Sequence, residues 1–324
     1  MENVEIHMQD EREEFKKTAS ACGIAVLLYF LLELVFQLAV LVAVGIGVCL
    51  KLLFNDFYIS GEELTEYLSN ENFLFAVTLG CTLVAFVVTF LIIYRKRFFG
   101  AIKGDLCFER KNVGNVLRGI PVVFSAGISG GFIFSFFLVV TEQFGISYDA
   151  DSVLEPEYTG GIYILYIIYV CVIAPVLEEL IFRGFILGNL KKYDKKTAVI
   201  ASAVMFSIFH AVYTQMPTAF LAGLALGGLY IYSGSVLVPI LVHVGYNTII
   251  QAEQMLEGVF PFDEIFMLLY SALFVTGMVL FFKKRKKVKF ERNEGNFCKI
   301  FFTRISVLAV IIINLALGSM YIVR

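Results

Sequence analysis

The chain has 324 residues, of which 59% are hydrophobic and 17% are charged, and its formal net charge is −2. A soluble domain is nearer half apolar and a quarter charged, so this composition excludes an ordinary soluble protein. It also argues against a nucleic-acid-binding protein. The apolar residues form blocks long enough to cross a bilayer, which takes about 20 residues per helix. The predicted fold is therefore all-α, a polytopic bundle of transmembrane helices.

Nine apolar blocks are predicted to be membrane spans. In chain order they are 22–50, 73–94, 118–141, 161–190, 197–214, 217–233, 235–251, 265–282 and 301–323. The fifth, sixth and seventh blocks are joined by very short connections around Pro217 and around Ser233 to Ser235. The prediction is eight spans if one of these blocks is re-entrant and nine otherwise.

The charges between the blocks predict the orientation of the chain. The basic clusters lie at 12–17, 95–118, 191–196 and 283–287, and the acidic loops lie at 56–71, 142–157 and 253–264. This alternation follows the positive-inside rule with a cytoplasmic N-terminus. Together with the lack of organelle signals, it favours a multi-pass protein of a bacterial plasma membrane, in contact with lipid.

The six cysteines and the N-terminal segment predict neither a disulfide framework nor a cleaved signal. The cysteines show no CxxC spacing and fall mostly in apolar blocks, where a thiol behaves as a small hydrophobe. In the N-terminal segment the basic residues come late, unlike in a signal peptide. Glu33 and Gln37, one helical turn apart in the first block, are interpreted as a helix–helix hydrogen-bonding pair rather than a second polar site.

Most polar residues inside apolar sequence occur between Glu178 and Asn247. On this basis we divide the chain into N-terminal spans (1–159), a candidate functional core (160–251) and C-terminal spans (252–324). Glu178 and Glu179 interrupt the fourth block, and Arg183 follows Glu179 by one helical turn. An ionisable residue at membrane depth is costly and by default suggests a functional site.

Two of the three histidines lie in other predicted spans at similar depth. Glu178 precedes Lys191 by 13 residues, and His210 follows Lys196 by 14 residues. At about 1.5 Å rise per residue, both are roughly 20 Å from the basic boundary. His243 and Asn247, four residues apart on one helix face, reach about 12 to 21 Å from their own boundary. The sequence therefore predicts that three spans bring these groups together.

These residue types allow two kinds of hydrolytic chemistry. A buried glutamate beside a neutral imidazole can act as general base on a water, while histidine and asparagine stabilise an oxyanion. Alternatively, two histidines and a glutamate can bind zinc, with a water in the open position. The same residues could instead form a structural salt-bridge network or the proton relay of a transporter. A transporter is disfavoured because no pair of broken helical repeats is present.

Three motifs occur in separate predicted spans: Glu178-Glu179-x-x-x-Arg183, Phe206-x-x-x-His210 and His243-x-x-x-Asn247. This set resembles the CPBP intramembrane proteases. That family includes type II CAAX prenyl endopeptidases and bacterial proteins similar to lysostaphin-resistance and bacteriocin-immunity proteins. The resemblance covers about residues 160–251 and is strong because all three motifs are present in order.

The resemblance implies a role for each motif residue. Glu178 would activate water together with His210, and His243 and Asn247 would bind a metal or stabilise the oxyanion. Glu179 and Arg183 would support them. The family is usually labelled a metalloprotease, which implies zinc held by Glu178, His210 and His243. A metal-free glutamate mechanism stays open.

The resemblance also implies the partners. The expected substrate is a membrane-associated peptide or protein, such as a bacteriocin precursor or a membrane-anchored regulator, and no nucleic acid is expected. The predicted function is an intramembrane endopeptidase. The alternative is a non-catalytic bacteriocin-immunity or interaction protein of the same fold.

Overall fold

The computed structural model of the protein describes residues 2–54, 70–94, 100–148, 160–284, 295–319 and 322–323. Long apolar stretches form helices because the intrahelical bonds satisfy every backbone polar group. The helices are α1 (Glu2–Phe54), α2 (Glu71–Thr89, continued by a π-helical turn at Phe90–Tyr94), α3 (Arg110–Glu142), α4 (Gly160–Leu190), α5 (Lys195–Phe209), α6 (Met216–Ser233), α7 (Leu237–Leu256), α8 (Phe262–Lys284), α9 (Phe297–Phe302) and α10 (Ile305–Gly318).

The all-α polytopic architecture is confirmed, and the count of eight or nine spans stays a prediction. Within the described ranges, six helices are long and apolar enough to cross a membrane: α1, α2, α3, α4, α6 and α8. Helix α5 has 15 residues and α10 has 14, fewer than the roughly 20 that a bilayer needs. Helix α7 has 20 residues but carries several polar side chains. The sequence count of eight or nine treated every apolar block as a full span.

Two of the predicted spans have different helix boundaries in the structure. The block at 197–214 stops being helical at Phe209, so His210 lies at the end of α5 and not inside a continuous span. The block at 301–323 is divided between α9 and α10, which are separated at Thr303 and Arg304. Near its end, Ile322–Val323 pairs antiparallel with Ser147–Tyr148, the one strand pair in the described ranges.

Helix α6 lies at the centre of the bundle, between α3 and α5. Helix α7 packs against α3 and α4, α8 packs against α3, and α1 packs against α2 and α10. Small residues allow the closest approaches, as is common between membrane helices. A Cβ atom at Gly223 of α6 would lie 3.1 Å from the Ala203 Cα atom of α5. This contact brings α6 within reach of the motif residues of α4 and α5.

Helix α4 carries two π-helical segments, Tyr169–Ile173 and Leu180–Leu187, on either side of a short α-helical stretch. A π-helical turn rotates the residues that follow it relative to a regular α-helix and often occurs at functional sites. Pro175 follows the first segment and has no N–H to donate. The two glutamates thus lie in the α-helical stretch between two local irregularities.

Three further predictions concern Glu33, the cysteines and the orientation of the chain. The Thr82 hydroxyl of α2 donates to Glu33 Oε1 at 2.6 Å, which confirms the interpretation of Glu33 as a helix–helix hydrogen-bonding residue. The five cysteines whose side chains are described are free thiols, as the sequence predicts. The acidic loops at 56–71 and 142–157 and the basic run at 283–287 lie mostly outside the described residues, and the cytoplasmic orientation of the N-terminus stays a prediction.

Candidate functional site

The four residues predicted to be catalytic line one cavity of about 560 Å³. Glu178 comes from α4, His210 from the end of α5, and His243 and Asn247 from α7. Residues of α3 and α6 complete its wall. The structure therefore brings together the groups that the three motifs supply.

Glu179 and Arg183 lie behind this cavity, fully buried. Arg183 Nη1 donates to Glu179 Oε1 at 2.7 Å, the pairing expected from their spacing. Arg183 Nη2 donates to the Gly223 carbonyl of α6 at 3.2 Å, and its guanidinium carbon lies 4.4 Å from the centroid of the Phe206 ring. The arginine thus joins α4, α5 and α6 beneath the cavity.

Glu179 has a second partner that sequence reasoning did not identify. Its Oε1 atom lies 2.9 Å from His243 Nδ1. A carboxylate paired with an arginine is ionised and can only accept hydrogen bonds, so His243 Nδ1 must carry the proton. In the neutral imidazole, Nε2 then has a free lone pair. Glu179 consequently sets both the tautomer and the orientation of His243, as carboxylates do for catalytic and metal-binding histidines.

Glu178 lies nearest to that free nitrogen. Its Oε2 atom is 3.8 Å from His243 Nε2, and 20% of its side chain is exposed, whereas Glu179 is fully buried. At this separation the two groups are too far apart for a direct hydrogen bond. The family resemblance implied that Glu178 works with His210. Both line the cavity, but the closer imidazole is that of His243.

His210 lies at the C-terminal end of α5, next to a strained backbone position. Its Nδ1 atom is 2.8 Å from the Phe206 carbonyl oxygen, which can only accept, so Nδ1 carries the proton and Nε2 is left free. Ala211, the next residue, has φ 53°, a left-handed conformation that is uncommon for residues other than glycine. This turn ends the helix at Phe209 and places the imidazole at the cavity wall.

Asn247 uses one amide hydrogen to hold α7 against α4. Its Nδ2 atom donates to the Val170 carbonyl at 2.9 Å. In the π-helical segment the Ala174 N–H donates to the Tyr169 carbonyl, five residues back. The donor in the same register for Val170 would be residue 175, which is proline. Asn247 therefore satisfies a carbonyl that the helix cannot, and its second N–H and its Oδ1 atom are available to the cavity.

Two further residues at the site, the motif residue Phe206 and Gln251, were given no role from the sequence. The Phe206 ring contacts both histidines edge to face, with centroids 4.8 Å from His210 and 5.7 Å from His243. Gln251 lines the cavity, is only 5% exposed, and its Oε1 atom makes no hydrogen bond to a described residue. Its position four residues after Asn247 on the same face of α7 was the available sequence signal.

The three predicted zinc ligands do not form one group in the structure. Among the described residues, no three His, Cys, Asp or Glu side chains come close enough together to hold a metal ion. Glu178 and His243 approach each other, and His210 does not complete a three-ligand group with them. Zinc therefore stays a prediction from the sequence, and we derive no step that passes through a metal.

Comparison with known proteins agrees with the motif assignment. Residues 160–249 match the family model described as Rce1-like, type II CAAX prenyl endopeptidase. Over 100 residues the chain is 28% identical to the "Membrane-embedded CAAX protease MroQ" of Staphylococcus aureus (strain USA300). This match covers 29% of the present chain and 40% of that protein.

A longer match is to a protein of Bacillus subtilis (strain 168) named "Putative membrane peptidase YdiL". The two are 27% identical over 216 residues, which cover 64% of the present chain and 82% of the relative. No solved structure matches the chain. The family match spans the three motifs whose side chains meet at the cavity, and together with the two relatives it supports a protein of the CPBP family.

Proposed function

We propose that the protein is an intramembrane endopeptidase that hydrolyses a peptide bond of a membrane-associated peptide or protein. The observation that carries this proposal is the chain of contacts from Arg183 through Glu179 to His243, which leads to Glu178 at the cavity. A buried carboxylate that orients an imidazole beside a second, accessible carboxylate is an arrangement suited to activating water. The family match and both relatives support peptidase chemistry.

In the proposed reaction, Glu178 is the general base. A water between Glu178 Oε2 and His243 Nε2 donates a hydrogen bond to each, and its oxygen attacks the carbonyl carbon of the substrate. Glu178 takes the proton of the water and delivers it to the nitrogen of the leaving amine as the C–N bond breaks. The products are one carboxylic acid and one amine, so the step needs no further reactant.

The remaining polar groups of the cavity have roles that follow from their free atoms. The second N–H of Asn247 donates to the oxyanion. Stabilisation of this charge contributes strongly to the catalysis of amide hydrolysis. The free Nε2 atom of His210 accepts a hydrogen bond from the substrate or from water. Gln251 Oε1 accepts a hydrogen bond from a substrate backbone N–H. A polar strip in an otherwise apolar wall suits a peptide segment that enters from the bilayer.

The decisive variant is Glu178→Gln, which keeps the size of the side chain and removes the base. We expect peptide cleavage by the full-length protein in lipid nanodiscs to fall by about 10²–10⁴-fold. The thermal midpoint should barely change, because Glu178 is partly exposed and makes no buried ion pair. Glu257→Gln, an exposed position just after α7, is the matched control and should cleave normally.

Two outcomes would contradict the catalytic proposal. One is wild-type cleavage by Glu178→Gln. The other is peptide binding, or protection of cells from a peptide toxin, that survives in Glu178→Gln and His243→Ala variants that fold normally. The second outcome would support the immunity or interaction function instead.

The zinc prediction has a separate test. Metal analysis of active, purified protein should find about one zinc per chain if Glu178, His210 and His243 bind it, and His210→Ala should lower that content. Active protein without stoichiometric metal would leave the glutamate mechanism as the working account.

A further inference from the structure

A second cavity of about 400 Å³ lies on a different face of α6 from the catalytic cavity. This volume is within the range of roughly 300–1,000 Å³ that is typical of small-molecule sites. Four helices, α3, α5, α6 and α8, form its walls. Most of its lining is aliphatic or aromatic, including Val122, Ile200, Leu224, Leu229, Leu280 and Phe281.

One end of this cavity carries positive charge. Arg118 of α3 and Lys196 of α5 both line it, and neither side chain forms an ion pair with a described residue. Lys196 lies in the first turn of α5, while Phe281 lies in the last turn of α8. These positions mark the same end of the bundle. The cavity thus combines an apolar interior with two unpaired cations at one rim.

Those cations belong to the sequence clusters that the positive-inside rule assigns to the cytoplasmic side. The cytoplasmic leaflet carries the anionic lipids, and basic residues near its surface attract them. We propose that this cavity binds one anionic phospholipid, with an acyl chain inside and the phosphate between Arg118 and Lys196. Arginine can bind phosphate oxygens with two parallel hydrogen bonds, and lysine adds a point charge.

Gly228 of α6 keeps this cavity wide. Protein interiors are normally filled, and glycine inside a helix lowers helix stability. A Cβ atom at Gly228, unlike one at Gly223 of the same helix, would meet no other atom within 4 Å. The missing side chain therefore leaves space that protein atoms do not use, as a bound acyl chain would require.

The charge test uses native mass spectrometry of the full-length protein with added phosphatidylglycerol or phosphatidylcholine. We expect one retained phosphatidylglycerol and little retained phosphatidylcholine. Arg118→Gln or Lys196→Gln should each weaken binding about fivefold, and the double variant about 25-fold. The matched controls Arg110→Gln and Lys195→Gln are neighbouring exposed cations that do not line the cavity, and they should bind like wild type.

The steric test fills the cavity from Gly228. Gly228→Leu should abolish retention of the lipid without displacing protein atoms. Gly131→Leu, on α3, is its control, because a Cβ atom there also meets nothing within 4 Å and the residue does not line the cavity. If Gly228→Leu does not fold, the charge variants still decide the question.

Three results would overturn the proposal: equal retention of the two lipids, equal losses in the cavity and control variants, or competition by inorganic phosphate alone. The last would indicate a phosphate site without an acyl chain. None of these measurements depends on peptide cleavage, so they are independent of the proposed protease activity.

Discussion

Adjacent glutamates have different environments because successive residues of a helix point about 100° apart. Glu179 faces the protein interior, where it accepts from Arg183 and from His243. Glu178 faces the cavity, with a fifth of its side chain exposed. One carboxylate therefore orients a second residue, and the other is available to a water and a substrate.

Arg183 should contribute strongly to stability. Its replacement by methionine would leave Glu179 as an unpaired buried charge, which typically costs about 3–5 kcal/mol. We expect Arg183→Met to lower the thermal midpoint markedly and to lower cleavage as well, because His243 loses its orientation. Thermal unfolding in detergent or nanodiscs measures the first effect.

Arg110→Met is the control for that prediction, since Arg110 is exposed at the start of α3. Glu179→Gln combined with Arg183→Met should recover part of the lost stability, because it removes the stranded charge. A loss below about 1 kcal/mol for Arg183→Met, the range of an exposed pair, would contradict the buried pairing.

At the scale of elements, the irregularity of α4 shapes the site. The π-helical turn and Pro175 leave the Val170 carbonyl without a donor in its own helix, and Asn247 of α7 supplies one. A defect in one helix thus becomes a specific contact with another. The same contact orients the amide that we assign to the oxyanion.

This account predicts coupling between two residues on different helices. Asn247→Leu should destabilise the protein by about 0.5–1.5 kcal/mol, because it removes the hydrogen bond to the part-buried Val170 carbonyl. Pro175→Ala restores a backbone N–H, so the loss caused by Asn247→Leu should be smaller in a Pro175→Ala background. A double-mutant cycle of thermal unfolding measures this coupling.

Ser271→Ala serves as the control for the cycle. The Ser271 hydroxyl donates to the Met267 carbonyl within α8, so its effect should be the same with or without Pro175. Strict additivity of Asn247→Leu and Pro175→Ala would rule out the proposed contact.

At the scale of the whole molecule, α6 connects the functional regions. One face helps to line the cavity of Glu178 and His243, another lines the cavity of Arg118 and Lys196, and its Gly223 carbonyl accepts from Arg183. Close packing at Gly223 holds Phe206 of α5 and Arg183 of α4 in their positions. Helices α1, α2 and α10 pack around this centre and lie outside the family match.

Gly223→Val should therefore disturb the site from outside the cavity. The added Cβ atom would lie 3.1–3.3 Å from Ala203 and Phe206, and overpacking of this kind typically costs about 1–3 kcal/mol. We expect a lower thermal midpoint and reduced cleavage. Gly228→Ala on the same helix is the control and should be neutral or slightly stabilising. Equal behaviour of the two variants would contradict the close approach at Gly223.

The fold class, the order of the apolar blocks and the identity of the motif residues could all be predicted from the amino-acid sequence. Hydrophobic blocks and spacings such as Glu179 to Arg183 or His243 to Asn247 reflect local physics, since a helix places residues four apart on one face. Because an ionisable group is costly inside a bilayer, a carboxylate or imidazole inside such a block is also expected to have a function. These features do not depend on how the helices are arranged.

Which of the motif residues contact one another follows from the tertiary structure and could not be predicted from the sequence. The contact of Glu179 with His243, the proximity of Glu178 to His243 rather than His210, and the end of α5 at Phe209 are consequences of helix rotation and packing. Hydropathy does not encode rotation about a helix axis, and the π-helical turns of α4 change that rotation before and after Glu178. The position of His243 beside both glutamates therefore follows from the packed bundle, because His243 lies on α7 and the glutamates lie on α4.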